Sequence, residues 1–371
     1  MRKFRIAELY AGTARSVEPF RSWRRADIAL LADANAYARD TYLLNFPNAP
    51  YAKRSISRLG PEDVTALADG RIDVLLACPP CQGFSESGLR DSQDPRNWHV
   101  RKFARLALGL KPLAVVMENV PTVAASPEFT YLTRLLEQAD YKWAAIIANA
   151  AQYGSTQTRQ RLLFVAFRSD VGVQPKFPTP RCGGTKQVFS YAKLAYARPS
   201  EDPVGILGVT PAAQRLAASL SQNMSQRLGS APMTTVQETL TDLPRVGTFK
   251  ARELNHLAWD HTPALLRRMD RVAEGHQWRG GTDHFQHSYA RLHRKGLART
   301  ITTFFPYAGS GRFWHPTANR SLTVREAARI QGFPDAFRFP ESSKRTAALV
   351  GNALDSALAS VCYRLVRSAL E

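Results

Sequence analysis

Acidic residues are scarce in this chain: 31 Asp and Glu stand against 50 Lys and Arg in 371 residues, a formal net charge of +19. Long apolar runs are missing as well. No stretch of about 18 consecutive apolar residues occurs, which excludes a membrane-spanning helix. The opening Met1-Arg2-Lys3-Phe4-Arg5-Ile6 runs straight into strand-like sequence, without the apolar centre of a signal peptide. Four cysteines are too few for a disulfide scaffold, so a reducing, cytoplasmic setting is expected, nucleoid-associated if the source is bacterial. Internal repeats and low-complexity tracts are absent.

What is present is a chain able to bury a full core, with 44% hydrophobic and 10% aromatic residues. Its length suits two domains, or one large domain with an insertion. Of the 50 basic residues 39 are Arg, the side chain suited to bidentate phosphate and guanine contacts. A polyanion is therefore the expected partner, nucleic acid first. The bland alternative is a generally basic protein from an Arg-rich proteome.

Short apolar runs alternate with amphipathic stretches in the first part, the signature of βαβ units around a parallel sheet. Strands are expected over 4–9, 28–32, 72–77, 113–117, 142–148 and 161–167, with a helix over 35–44. The first strand ends in the turn Tyr10-Ala11-Gly12-Thr13. This alternation over about 165 residues reads as a doubly wound, Rossmann-like α/β fold. After Arg168 prolines and glycines break the pattern. From 183 to 300 there are 16 Lys and Arg against 9 Asp and Glu, and six of the eight histidines. That composition suits a loop-rich insertion touching a charged ligand. Order returns with a helix over 322–331 and a final amphipathic helix from about Asn352 to Leu370. The expected division is 1–172 for the α/β part, 173–300 for the inserted region, and 301–371 for the return to the first part.

The densest chemical signal is Cys78-Pro79-Pro80-Cys81-Gln82-Gly83-Phe84-Ser85, directly after a buried strand, where open α/β sheets gather catalytic groups. Cys-Pro-Pro-Cys alone fits a redox pair, half a zinc site, or one nucleophilic thiolate on a proline-stiffened loop. Zinc wants a second close pair, and Cys182 and Cys362 are isolated; a redox pair sits in a much smaller domain. A second strand end gives Glu118-Asn119-Val120-Pro121, and a third region gives Gln157-Thr158-Arg159-Gln160-Arg161. On a strand Arg159 and Arg161 point the same way, able to clamp a phosphate or a polarised carbonyl oxygen together. Singly, a strand-end Glu is a solvated cap and paired Arg a solvated face; in this order they are specific. His284 and His287 lack acidic or Cys companions, so no metal site is expected and a solvated or phosphate-facing role is.

Here the chain resembles the DNA (cytosine-5) methyltransferases, over nearly its whole length apart from the insertion. The resemblance runs through Pro80-Cys81-Gln82, Glu118-Asn119-Val120, and Gln157, Arg159 and Arg161. It continues through Arg320-Ser321-Leu322-Thr323-Val324-Arg325-Glu326 to Gln331-Gly332-Phe333-Pro334, and closes at Val350-Gly351-Asn352-Ala353. It implies a class I S-adenosylmethionine-dependent enzyme whose inserted smaller domain recognises the target. It implies that Cys81 is the nucleophile, that Glu118 holds or protonates N3 of the base, that Arg161 contacts the cytosine carbonyl oxygen and that Arg159 positions loop and backbone. The base is flipped from the duplex to be reached. Gln82 and Ser85 then lie at the DNA, Ser85 at a position that touches the backbone.

The same resemblance implies S-adenosyl-L-methionine as cofactor, held by Tyr10, Gly12, Thr13, Asp33, Ser55, Ile56, Pro80 and Asn352. Asp33 takes the ribose hydroxyls. The family's Asp-Leu-Phe-x-Gly-x-Gly-Gly reads Glu8-Leu9-Tyr10-Ala11-Gly12-Thr13-Ala14-Arg15 here, so both later glycines are replaced. Arg15 is expected to bring a long cation to the start of a following helix; were it to reach the cofactor carboxylate, it would also sit near the cationic sulfonium. Ser55 stands where an adenine-facing Asp is usual. The expected activity is C5 methylation of cytosine in a specific double-stranded DNA sequence, by a monomer, with restriction or defence-system proteins as possible partners. The alternatives are an RNA cytosine methyltransferase and a silent DNA-binding relative.

Overall fold

The structure, a computed structural model, describes residues 2–80, 95–182, 230–279 and 288–371. Its strands are β1 (Phe4–Leu9), β2 (Ala26–Asp33), β3 (Tyr51–Lys53), β4 (Val74–Ala77), β5 (Ala114–Asn119), β6 (Tyr141–Asn149), β7 (Gln157–Thr158), β8 (Gln160–Arg168) and β9 (Ala298–Arg299). Seven form one sheet in the order β3-β2-β1-β4-β5-β8-β6, and β7 pairs with β9 beside it. The strands expected from apolar runs are all present, with bounds shifted by one or two residues. β3 has no such run: it is a three-residue edge strand after Pro50.

The sheet is not wholly parallel, as the βαβ reading expected. β8 runs antiparallel to both β5 and β6. The chain covers the distance from Asn149 to Gln160 in a short connection, too short for a helical crossover, so the strand must reverse. All other neighbours in this sheet are parallel.

Helices α1 (Ala36–Leu43), α2 (Pro61–Leu67), α3 (Trp98–Leu110) and α4 (Pro127–Gln138) follow the strands in turn. One sheet face packs Val64, Phe103 and Leu132 from this set against Leu9, Leu75 and Val115. The other packs Phe20 with Leu358, Val361 and Val366 against Ile6, Val74 and Leu163. A strand such as Val74–Ala77, apolar at each position, is what burial on both faces requires.

Later come α5 (Val236–Leu240), α6 (Phe249–Glu253), α7 (Pro263–Asp270), α8 (Val324–Ile330), α9 (Lys344–Asn352) and α10 (Ser356–Leu370). A second core joins Val236, Leu292, Ala298 and Ile301 to Phe305, Leu322, Ala327 and Val350. Thr323 and Glu326 open α8 with a reciprocal cap: the Glu326 amide donates to Thr323 Oγ1 at 3.1 Å and the Thr323 amide to Glu326 Oε2 at 2.8 Å.

The final helix expected from about Asn352 starts four residues later, at Ser356, and a separate helix precedes it. Asn352 ends α9, Ala353 is extended, and Asp355 caps α10 by accepting the Ala357 amide at 2.9 Å. Hydrophobic periodicity runs across this joint, whereas an Asp before an apolar run is itself a helix-start signal. The break matters because it puts the C-terminal end of α9 at the sheet's functional edge.

Candidate active site

Between β1 and β4 the sheet changes the direction in which successive strands are added, and such a switch point leaves a crevice beyond the strand ends. A cavity of about 390 Å³ opens there. It is lined by Tyr10, Gly12 and Thr13 after β1, Asp33 at the end of β2, Ser55 and Ile56 after β3, Pro80 after β4, and Glu118 on β5. Arg159, Arg161 and Asn352 complete it. The predicted residues within the described part thus converge on one space, although they span more than 300 positions of sequence. Cys81, Gln82 and Ser85 lie outside the described residues, as do His284 and His287.

The turn after β1 is built by three left-handed residues: Tyr10 at φ 56°, Gly12 at φ 50° and Ala14 at φ 58°. Ala14 therefore keeps a glycine's conformation where the family pattern has glycine, at a cost of about 1 kcal/mol. Asp33 fastens the turn, accepting the Gly12 amide on Oδ2 at 2.9 Å and the Asn35 amide on Oδ1 at 2.8 Å. Tyr51 donates its hydroxyl to the Gly12 carbonyl at 2.6 Å, and Tyr10 pairs with His99 at 3.1 Å. Ile56 is buried, while Ser55 is exposed and shares a hydrogen bond with Ser57 at 2.8 Å.

Arg15 departs from expectation. Only a 3-10 turn, Glu18–Ser22, follows, so there is no α-helix start for it to approach. Its side chain, although part of the cavity wall, is buried; Nη2 donates to the Gly332 carbonyl at 2.9 Å and contacts Ser356 Oγ. The guanidinium lies 4.4 Å from the Phe333 ring centroid. Arg15 clamps the β1 turn to the segment between α8 and the start of α10.

The paired-guanidinium clamp is not formed either. Arg159 falls in the gap between β7 and β8, and it donates to the carbonyls of Ile301 and Gly351, each at 3.1 Å. Arg161, on β8, instead meets Glu118 on the neighbouring β5, with Nε 2.8 Å from Oε1. Strand alternation fixes which way a side chain leaves the backbone, not what its far end meets. Gln157 is fully buried: its amide donates to Asp355 at 2.8 Å and Gln331 at 2.5 Å, and its oxygen accepts the Ile301 amide at 3.1 Å.

Asn119 holds the other side. Its Nδ2 donates to the Pro79 carbonyl at 3.2 Å, tying β5 to the loop that leads into Cys81. Cys78 meets Ser16 at 3.1 Å, and desolvation, reinforced by Glu118 and Glu8, pushes its thiol well above the ordinary range. A thiol held protonated is a poor nucleophile. Sequence reasoning passed over Glu8 and His99, both in the cavity wall. Burial pushes the Glu8 carboxyl up to about 8, Asp33 adding to the rise while Ser16 and the Val17 amide oppose it. A carboxyl at the end of β1 in a family motif was a usable signal; nothing in the sequence near Trp98 marks His99.

This sheet order, with a cavity at the ends of β1 and β2, is the fold of the class I S-adenosylmethionine-dependent methyltransferases. It matches the solved Dnmt2 methyltransferase of S. pombe with a TM-score of 0.63, at 16% identity over 99% of both chains. It also matches the Entamoeba histolytica methyltransferase EhMeth with a TM-score of 0.67, at 14% identity over all of both chains. The type II methyltransferase M.DdeI of Desulfomicrobium norvegicum is 30% identical over 362 residues, 92% of this chain and 80% of the relative. The type II methylase M.HgiDII of Herpetosiphon aurantiacus is 28% identical over 331 residues, 86% of this chain and 83% of the relative. Residues 4–364 match the family described as C-5 cytosine-specific DNA methylase, and the chain belongs to that family. It is a DNA (cytosine-5) methyltransferase, and DNA is its substrate.

Proposed function

We propose that this enzyme methylates C5 of cytosine within a specific double-stranded sequence, using S-adenosyl-L-methionine and a covalent thiolate mechanism, in a restriction-modification or phage-defence setting. The observation that carries this reading is the Glu118–Arg161 pair, which shares one cavity with Pro80, the residue before Cys81. C5 of cytosine is a poor nucleophile. Addition of the Cys81 thiolate to C6 of a flipped-out base breaks the ring's aromaticity and makes C5 enamine-like. Negative charge then grows toward N3 and O2. Glu118, once it takes up a proton as the base enters, holds N3 and donates to it, and Arg161, released from its ion pair with Glu118, faces the carbonyl oxygen. Arg159 is a positioning residue: its two carbonyl bonds fix the backbone at Ile301 and Gly351 around that pair. After methylation at C5, a water molecule takes the C5 proton, the C5–H electron pair re-forms the C5=C6 double bond, and the C6–S bond breaks to release the Cys81 thiolate.

The donor set fits the cofactor. Asp33 offers a carboxylate at the end of β2, where ribose hydroxyls bind, and Tyr10 and Ile56 give apolar walls. Thr13 and Asn352 add polar contacts, and space is open above Gly12, where an added Cβ would meet nothing within 4 Å. When bound, S-adenosylmethionine supplies an electrophilic methyl group. Ser55 faces the adenine end, Pro80 stiffens the catalytic loop, and Gln82 and Ser85 contact DNA. Residues 1–172 and 301–371 build the catalytic part and 173–300 read the target, in a monomer.

The test is covalent trapping. A duplex with 5-fluorocytosine at the target should capture the enzyme, because fluorine cannot leave as a proton does. Cys81→Ala should abolish both capture and turnover while duplex binding persists. Capture that survives in Cys81→Ala would overturn the assignment of the nucleophile.

A further inference from the structure

The turn after β9 carries two aromatic side chains that its own packing leaves in solvent. Phe305, Pro306 and Ala308 are buried, whereas Phe304 is 60% and Tyr307 45% exposed. The turn is rigid. The Tyr307 amide donates to the Phe304 carbonyl at 2.9 Å, and Ser310 Oγ bonds the carbonyls of Phe304 and Tyr307 at 2.6 and 2.8 Å. The two rings lie 6.1 Å apart at 54°. Lys344 Nζ sits 4.8 Å from the Tyr307 centroid, with exposed Arg345 next in sequence.

This turn adjoins the catalytic cavity. A Cβ added at Gly351 would lie 2.4 Å from the Thr302 carbonyl carbon and 2.5 Å from the Thr303 amide nitrogen, so the turn's base rests directly on a cavity-lining segment. Arg159 ties the same two pieces together through Ile301 and Gly351. A phenyl ring can neither pair with a phosphate nor hydrogen-bond a base edge. What it can meet in nucleic acid is the apolar face of a base, and extruding one base from a duplex uncovers the faces of its neighbours.

We propose that Phe304 and Tyr307 form a base-contacting platform beside the cavity, on which bases next to the extruded cytosine rest while Lys344 and Arg345 meet the adjoining phosphates. The inference rests on the base-flipping reading of the active site. Its partner is duplex DNA rather than a protein, because the aromatic pair is joined to cations in a chain of net charge +19 and lies against the cavity that takes the base.

The test measures duplex affinity by fluorescence anisotropy across salt concentrations, with an oligonucleotide carrying the sequence the enzyme methylates. Phe304→Ala should weaken binding roughly tenfold at every salt concentration, with the log–log slope unchanged, since a neutral ring displaces no counterions. Phe304→Trp should keep most of the affinity. Lys344→Gln should lower the slope by about one unit. S-adenosylmethionine binding in each variant, read by calorimetry, reports that it is folded. Wild-type affinity in Phe304→Ala overturns the platform alone, as does a loss confined to low salt. A change of oligomeric state at unchanged DNA affinity also overturns it, showing that the rings serve a second copy of the chain. Failure of the wild-type protein to bind the duplex overturns the DNA reading and the platform with it.

Discussion

Glu8 shows how much one enclosed side chain can do in this site. Its carboxyl, at the end of β1, is buried between the β1 turn and the cavity, with Asp33 adding negative potential. Unfolded, it titrates near the ordinary 4.5; folded, it titrates at about 8. Between those values the native state holds the extra proton, so the stability present below about 4.5 is lost as pH rises through about 8. Glu8→Gln keeps the size without the charge. We predict that its unfolding free energy matches the wild type near pH 4.5 and exceeds it increasingly toward pH 8, by roughly a few kcal/mol, with the melting temperature rising in step. A pH-independent difference in thermal scans would contradict the burial account. Arg15 gives the second test at this scale. Since its guanidinium bonds Gly332 and packs on Phe333, Arg15→Gly should lower the melting temperature and change S-adenosylmethionine affinity by no more than about twofold. Ser55→Ala should be equally mild. In calorimetry the free enzyme should bind the cofactor weakly, and a cognate duplex should tighten it. A tenfold affinity loss in Arg15→Gly at unchanged stability would return Arg15 to the cofactor carboxylate.

Among the elements, the joint between α9 and α10 carries the most. Asp355 there caps α10 and also accepts from Ser155 at 2.6 Å and Gln157 at 2.8 Å, the latter in the Gln-x-Arg-x-Arg segment. Removing the carboxylate leaves the buried Ser155 hydroxyl without its acceptor, takes one acceptor from Gln157, and leaves a helix without its cap. Asp355→Ala should therefore cost about 3 kcal/mol in denaturant unfolding, with Asp355→Asn recovering part of it. A loss under about 0.5 kcal/mol would mean that solvent or another group replaces the carboxylate. The expected strands were legible because each is an apolar run buried on two faces. The direction of β8 is not in its composition; it follows from the short link between Asn149 and Gln160. Asn352 and Asp355 are both residue types that open helices, so the sequence alone does not say that Asn352 closes α9 and Asp355 caps α10.

At the scale of the whole molecule, a mostly parallel sheet with one reversed strand brings residues from both ends of the chain to one crevice. Tyr10, Asp33 and Glu118 could be placed there from sequence because each ends a recognisable strand and stands in a family motif. Arg159 and Arg161 could be placed too, but not their partners, since a side chain with four rotatable bonds meets whatever the tertiary fold presents. Glu8 stands in a motif that signals the site, but its raised carboxyl comes from enclosure, as does the place of His99 in the cavity wall, and no motif encodes enclosure. The excess of Arg over acidic residues gave the partner class without its location; the exposed Phe304 and Tyr307 beside Gly351 supply one. The central claim is cytosine C5 methylation of DNA at one sequence through Cys81. Bisulfite sequencing of DNA from cells expressing the wild-type enzyme, with Cys81→Ala cells alongside, tests it most directly. The account predicts protected cytosines at a single recurring sequence in the wild type and none in Cys81→Ala. Protection that persists in Cys81→Ala, or appears in RNA while DNA stays fully convertible, would contradict it.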